Sequence, residues 1–297
     1  MPAFIISFSH SNYQTQTSFM NVFDRFSNGW NIASNSWAVL KENRKLILFP
    51  ILSGLSMLLV ILSFVLFALA SVGWDFGAFN DIKEQGTVVH YLFVFGYYLI
   101  NYFIIVFFNT ALIHCTHLYF HGEKPTIRQG LQFAASRIGV LLSWAAFAAT
   151  VGTALRLLQD NLGSIGKFIT GLIGIVWSIA TFFVVPVIAY ENLGPIAAFK
   201  RSAELMRQKW GERLGAGFSF FLIQFLGFIA LALVGMLLGY IIHPVVGLAV
   251  FVLGVFALLT LVSAVRTIFI SAVYHNLNGD PVKHFNQEFA DNLFVQK

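Results

Sequence analysis

From residue 46 onward the chain alternates long apolar stretches with short polar ones. About 20 apolar residues in a row are enough to cross a bilayer as a helix. The pattern predicts six such spans, at about 46–72, 88–119, 138–155, 168–190, 214–242 and 245–274. The last two come from one nearly unbroken apolar run, and His243-Pro244 is its only interruption, so a tight hairpin is expected there. Polar loops are expected over 73–87 and 156–167. Pro50 falls in the first turns of its span, where proline is tolerated. Pro186 lies near the end of the fourth span and predicts a kink there.

A second pattern repeats at helical spacing between the spans. Phe23, Phe26, Trp30, Ala33, Trp37 and Leu40 recur at steps of three and four, with Asp24, Arg25, Asn28, Asn31 and Asn35 off the stripe. After Pro125, the residues Ile127, Leu131, Ala134 and Ile138 share one face. After Pro195, so do Ile196, Phe199, Ala203, Met206 and Trp210, among the cations Lys200, Arg201, Arg207, Lys209 and Arg213. Val282, Phe285, Phe289 and Leu293 form a shorter stripe after Pro281, over 281–293. These pieces read as amphipathic helices lying in a membrane interface. The fold class expected is therefore all-α: a polytopic bundle of six transmembrane helices with cytoplasmic amphipathic interfacial helices. The expected organisation is a disordered polar tail over 1–19, an interfacial helix within 20–45, and a membrane domain over 46–297. The first 19 residues lack the basic region and long apolar run of a signal peptide; they read as a disordered polar tail or as an upstream extension of a chain that could start at Met20.

The spans leave the membrane through similar exits. One reads Tyr119-Phe-His-Gly122 before Pro125, the next Tyr190-Glu-Asn-Leu-Gly194-Pro195, the third Tyr274-His-Asn-Leu-Asn-Gly279-Asp-Pro281. Glycine suits the position after a helix end and proline the first turn of the next helix. A threefold repeat of hairpin plus interfacial helix is expected, with all three units in the same orientation. That differs from the inverted repeats of many transporters.

Composition supports a membrane class. Hydrophobic residues make up 58% and charged residues 10%, against roughly 45–50% and about 25% in soluble domains. Fourteen of the eighteen Lys and Arg residues fall on one side of the expected spans and three on the other, with Arg266 inside a span. This bias places both termini of a multi-pass chain in the cytoplasm; a prokaryotic inner membrane is what the resemblance given below implies. The cations flank apolar spans, so Lys41, Arg44, Lys45, Lys200, Arg201, Arg207, Lys209 and Arg213 are candidates for anionic lipid headgroups rather than nucleic acid. Cys115 is the single cysteine, so no intramolecular disulfide forms.

Candidate chemistry is sparse. His114, His117 and His121 fall within about 60° of one another on a helix. Imidazoles bind transition metals, and these three are the metal-ligand candidates. One helix face rarely supplies three ligands, however, and no carboxylate completes the set, so solvated interfacial histidines are the preferred reading and no cofactor is expected. Arg266 lies about 12 Å before Tyr274 along its helix, where a charge must pair, face water or snorkel. Asn101, Asn109 and Gln224 are candidates to line the same interior. No nucleophile–base set, carboxylate pair or phosphate-binding glycine loop stands in a plausible setting, so no enzymatic activity is expected.

The residues Phe23, Arg25, Gly29-Trp30, Ser36-Trp37, Leu40, Leu46, Phe49-Pro50 and Ser53 carry a resemblance, as do Val185-Pro186, Tyr190, Glu191, Lys200-Arg201-Ser202 and Trp210-Gly211. The chain from Met20 on resembles a family of uncharacterised six-span prokaryotic integral membrane proteins, catalogued as a domain of unknown function. It is similar, more distantly, to the membrane domain attached to some glycerophosphodiesterases. This chain has no room for their soluble catalytic barrel, so the resemblance implies a fold and no activity. The function expected is a permease or channel for a small solute or lipid. The alternative is a non-catalytic membrane-organising protein that binds anionic lipid or partner proteins through its basic helices. No motif specifies a substrate or an oligomeric state.

Overall fold

The computed structural model describes residues 34–71, 73–74, 88–210 and 215–280. The expected tail, the first part of the first amphipathic stripe, most of the loop 73–87 and the C-terminal stripe 281–293 lie outside the described residues. Every described element is helical. Helix α1 covers 34–42, and a 3₁₀ turn Arg44–Ile47 leads into α2 (Leu48–Ser71). Then come α3 (Val88–Phe120), α4 (Ile127–Ser136), α5 (Ile138–Ala180), α6 (Val184–Glu191), α7 (Pro195–Trp210), α8 (Gly215–Ile241) and α9 (Pro244–Leu277). Five helical runs among the described residues are long and apolar enough to cross a membrane: Arg44–Ser71, His90–Phe120, Ile138–Ala180, Phe220–Ile241 and Pro244–Leu277.

The third of these runs is two arms rather than one rod. Gly163 has φ 55° and ψ −128°, outside helical values. The Trp144 and Trp177 rings stack with centroids 6.0 Å apart, whereas an unbroken helix would separate them by about 50 Å. Gln159 Nε2 donates to Thr170 Oγ1 at 2.7 Å across the turn. The polar loop expected over 156–167 is therefore largely helical, and the reversal is confined to Gly163. Arg156 pairs with Asp160 one turn on at 3.2 Å, and Asn161 Nδ2 bonds back to the Leu157 carbonyl at 2.8 Å. These local bonds carry the helix through residues that composition alone marks as loop. Only glycine adopts the Gly163 conformation without strain.

The kink expected at Pro186 lies earlier, in the turn 181–183 between α5 and α6. Pro186 then sits in the first turn of α6, where its missing N–H costs little. The Phe183 N–H freed by the break donates to Ser202 Oγ of α7 at 3.0 Å. At the other hairpin His243 caps α9: its Nδ1 accepts from the Val245 N–H at 3.3 Å, with Pro244 at the first helical position.

Helix α3 is the hub, touching α2, α4, α5, α6 and α9. Two close approaches set the packing. A Cβ on Gly130 of α4 would lie 2.7 Å from Cys115 Sγ and 2.8 Å from the Ala111 carbonyl of α3. One on Gly247 of α9 would lie 2.3 Å from the Gly235 carbonyl and 2.6 Å from Gly239 Cα of α8. Close approach through small residues is how apolar helices associate where lipid offers no hydrophobic drive. The outward surface stays apolar: Leu59, Leu62, Phe67, Leu233, Met236, Val245 and Leu253 are all more than half exposed. In water such a surface would be a large liability; against lipid chains it is the expected state.

Candidate functional site

The exit tyrosines and their neighbours are brought together where α3, α6 and α9 end. Tyr190 of α6 packs its ring 5.2 Å from His117 of α3, 5.1 Å from His275 of α9 and 6.1 Å from Tyr274. Its hydroxyl donates to the Ile113 carbonyl at 3.4 Å. Tyr274 donates to Glu191 Oε1 at 3.1 Å, and the same carboxylate receives Arg201 Nε of α7 at 3.2 Å. Tyr119 donates to Glu42 of α1. The left-handed residues that end these helices are Gly122 (φ 84°), Asn192 (φ 51°) and Gly279 (φ 82°). At the second exit Asn192 therefore takes the role expected of Gly194, as asparagine can.

A chain of imidazoles runs through this cluster. His275 is buried, and its Nδ1 lies 2.9 Å from Asp280 Oδ2. A carboxylate oxygen only accepts, so His275 carries its proton on Nδ1. Its Nε2 is then an acceptor, and His117 Nδ1, 3.2 Å away, is the donor. The lone pair of the linked set is left on His117 Nε2. His121 Nδ1 donates to the His117 carbonyl at 2.9 Å. His114, one turn deeper, stacks on Phe133 of α4 with centroids 3.9 Å apart, and Arg137 covers that ring at 5.6 Å. His114 Nδ1, Thr110 Oγ1 and Ser271 Oγ are buried without a hydrogen-bond partner among the described residues. Thr110, His114 and His117 share one face of α3 within about 60°, His121 follows just past its end, and Ser271 and His275 lie one turn apart on α9. The result is a run of polar side chains along the facing parts of α3 and α9.

The three histidines expected as metal ligands do not converge on one point. The His114 and His117 rings are 6.5 Å apart, and His121 is turned to the backbone. Among the described residues no group of three or more His, Cys, Asp or Glu side chains is arranged to hold a metal ion. The signal the residue spacing lacked was His275 of α9 with Asp280 just past its end, 158 and 163 positions away from His117.

The four intramembrane polar candidates are dispersed. Asn101 is buried, with Nδ2 donating to the Tyr97 carbonyl at 2.8 Å and Oδ1 unpartnered. Asn109 and Gln224 are half-buried, on α3 and α8. Arg266 is exposed on the outward stripe of α9, in register with exposed Val245, Val252 and Leu259 at seven-residue steps.

The basic candidates Lys41, Arg44, Lys45, Lys200 and Arg207 are exposed, Arg201 is tied to Glu191 and Glu204, and the side chains of Lys209 and Arg213 lie outside the described set. Helix α7 buries Ala198, Ser202, Leu205 and Met206, a face rotated by about 95° from the stripe its apolar residues predict. The small Ala198 and Ser202 let α7 sit close to the turn that Ser202 caps, which leaves Ile196 59% exposed.

No curated protein matches the chain. The distant likeness to glycerophosphodiesterase membrane domains has no counterpart among the matches found. A family model covers residues 88–281, from the first residue of α3 to the residue after Asp280, and so takes in the whole imidazole chain. The chain belongs to the family that this model defines, the family of unknown function DUF6159.

Proposed function

We propose that this protein is a six-crossing carrier for a small solute or lipid in a prokaryotic inner membrane, with a proton relay at its cytoplasmic end. The observation that carries the reading is the linked set Asp280–His275–His117. Ionisable groups inside a membrane bundle are costly to bury, and chains of Asp and His serve as proton relays in pumps and transporters. A proton arriving at His117 Nε2 lets His117 pass its Nδ1 proton to His275 Nε2. His275 then passes its own Nδ1 proton to Asp280, whose side chain is 42% exposed. Each imidazole ends neutral in the opposite tautomer, so one proton has moved from the interior to the surface. His114 Nδ1 and Thr110 Oγ1 extend the polar face inward.

Six crossings follow from treating the arms on either side of Gly163 as separate spans, with α6 completing the second. The lysine and arginine bias supports two cytoplasmic termini, with α4 and α7 lying at the cytoplasmic interface. The convergent exits support the threefold repeat. The reading is non-enzymatic: the carboxylates at the cluster are engaged, Glu191 by Arg201 and Tyr274 and Asp280 by His275.

The test is accessibility. In a Cys115→Ala background, single cysteines at Thr110, His114 and Asn101, and one at Asp280 as the surface control, are challenged in sealed vesicles with a small water-soluble thiol reagent. Labelling at these depths supports a wet path. Protection at all three, with labelling at Asp280 alone, overturns the carrier reading.

A second reading, a membrane-organising protein, is favoured by α7. Its inner edge is locked into the bundle, while Lys200 and Arg207 stay exposed for anionic headgroups. A dry core together with binding to anionic vesicles that disappears in a Lys200→Gln, Arg207→Gln variant would support it.

A further inference from the structure

An apolar groove of about 320 Å³ opens on the side of the bundle between α1, α8 and α9. Trp37, Phe220, Ile223, Leu258, Val262 and Val265 line it. It is separate from the imidazole chain, and no part of the proposed proton relay uses it. Its volume equals about ten water-sized groups at about 30 Å³ each, and a methylene is of similar bulk. Its lining is apolar apart from Ser34, which suits a hydrocarbon chain better than a polar solute.

One cation stands at its edge. On a helical wheel Arg266 lies about 40° from Val262, next to the lining face, on a stripe otherwise made of Val245, Val252 and Leu259. No acidic side chain among the described residues pairs with it. An exposed arginine at this depth must pair with an anion, face water or reach to the headgroup level. On the lipid-facing side the available anion is a phospholipid headgroup. A second cation, Lys41 Nζ, lies 5.9 Å over the ring of Trp37, at the α1 wall of the groove.

We infer that this groove is a binding site for one anionic phospholipid, its acyl chain between α1, α8 and α9 and its phosphate on Arg266. The guanidinium offers a planar pair of donors that matches a phosphate. The inference stands independently of whether the bundle carries a solute.

The experiment is native mass spectrometry of the detergent-purified full chain with phosphatidylglycerol and phosphatidylcholine of matched acyl length, and with inorganic phosphate as the soluble control. The expected result is one phosphatidylglycerol retained in preference to phosphatidylcholine, with no phosphate adduct. Arg266→Leu, an apolar exchange on a lipid-facing stripe, should lower that preference by roughly tenfold, as for loss of one charged hydrogen-bonded contact. Val262→Trp should fill the groove and remove retention of both lipids, while helix content by circular dichroism stays at the wild-type level. No headgroup preference in the wild type overturns the inference, as does an unchanged preference in Arg266→Leu or a phosphate adduct as strong as the lipid.

Discussion

His117 Nδ1 of α3 and His275 Nε2 of α9 lie 3.2 Å apart, joined across 158 positions of sequence. Asp280 fixes the direction of this bond, because its carboxylate accepts from the far nitrogen of His275. Replacing Asp280 by Ala leaves the buried His275 Nδ1–H without an acceptor, at a cost of about 1–3 kcal/mol. Nitrogen-15 NMR of the imidazoles is the direct check. His275 should be the Nδ1–H tautomer in the wild type and lose that preference in Asp280→Ala.

Ser202 holds the turn between α5 and α6 by accepting the Phe183 N–H. Ser202→Ala keeps the helix-packing volume nearly unchanged and orphans that donor. A loss of about 1–3 kcal/mol is expected. Cys115 is buried and is the chain's single cysteine, so a thiol-reactive fluorophore reports unfolding without further engineering. Its transition should move to lower temperature in Ser202→Ala.

Glycines separate into those that hold contacts and those that do not. Gly247→Ala pushes a methyl into the Gly235 carbonyl and the Gly239 backbone of α8, neither of which can move aside as a side chain would. It should open the α8–α9 hairpin and lower the thermal midpoint. Gly96 of α3 meets nothing within 4 Å, so Gly96→Ala should be neutral or stabilise by up to ~1 kcal/mol through helix propensity. Equal effects from the two would refute the packing account of this hairpin.

Tyr274→Phe removes the hydroxyl that Glu191 accepts, while Arg201 still holds the carboxylate. Hydrogen bonds to charged groups contribute about 1.5–3 kcal/mol. The variant should lose stability in that range. Glu191→Gln combined with Tyr274→Phe should cost less than the two changes added together, which a double-mutant cycle on the same unfolding assay measures.

The positions of the apolar helices were legible in the sequence, because helix length and turn residues are local properties. The runs expected at about 88–119, 214–242 and 245–274 match α3, α8 and α9 to within a few residues. The loop 156–167 misled because its polar residues bond along a helix, and the decisive residue, Gly163, is one glycine among 24. Of the candidate site, the spacing of His114, His117 and His121 was visible. Their partners His275, Asp280 and Tyr190 were not, since they come from other helices.

The sequence by itself determined the approximate positions of most apolar helices, that the chain is apolar enough for lipid, and which residues share a face within one helix. The tertiary structure decided which face of each helix turns inward. That division has a physical cause. In water an apolar stripe points to the core, but against lipid both the packed and the exposed face of a span are apolar, and the pattern no longer tells them apart. Arg266 could be placed at a depth from its distance to Tyr274, but not on a side. Only the packing of α9 against α3 and α8 turned Arg266 outward and His275 in towards His117.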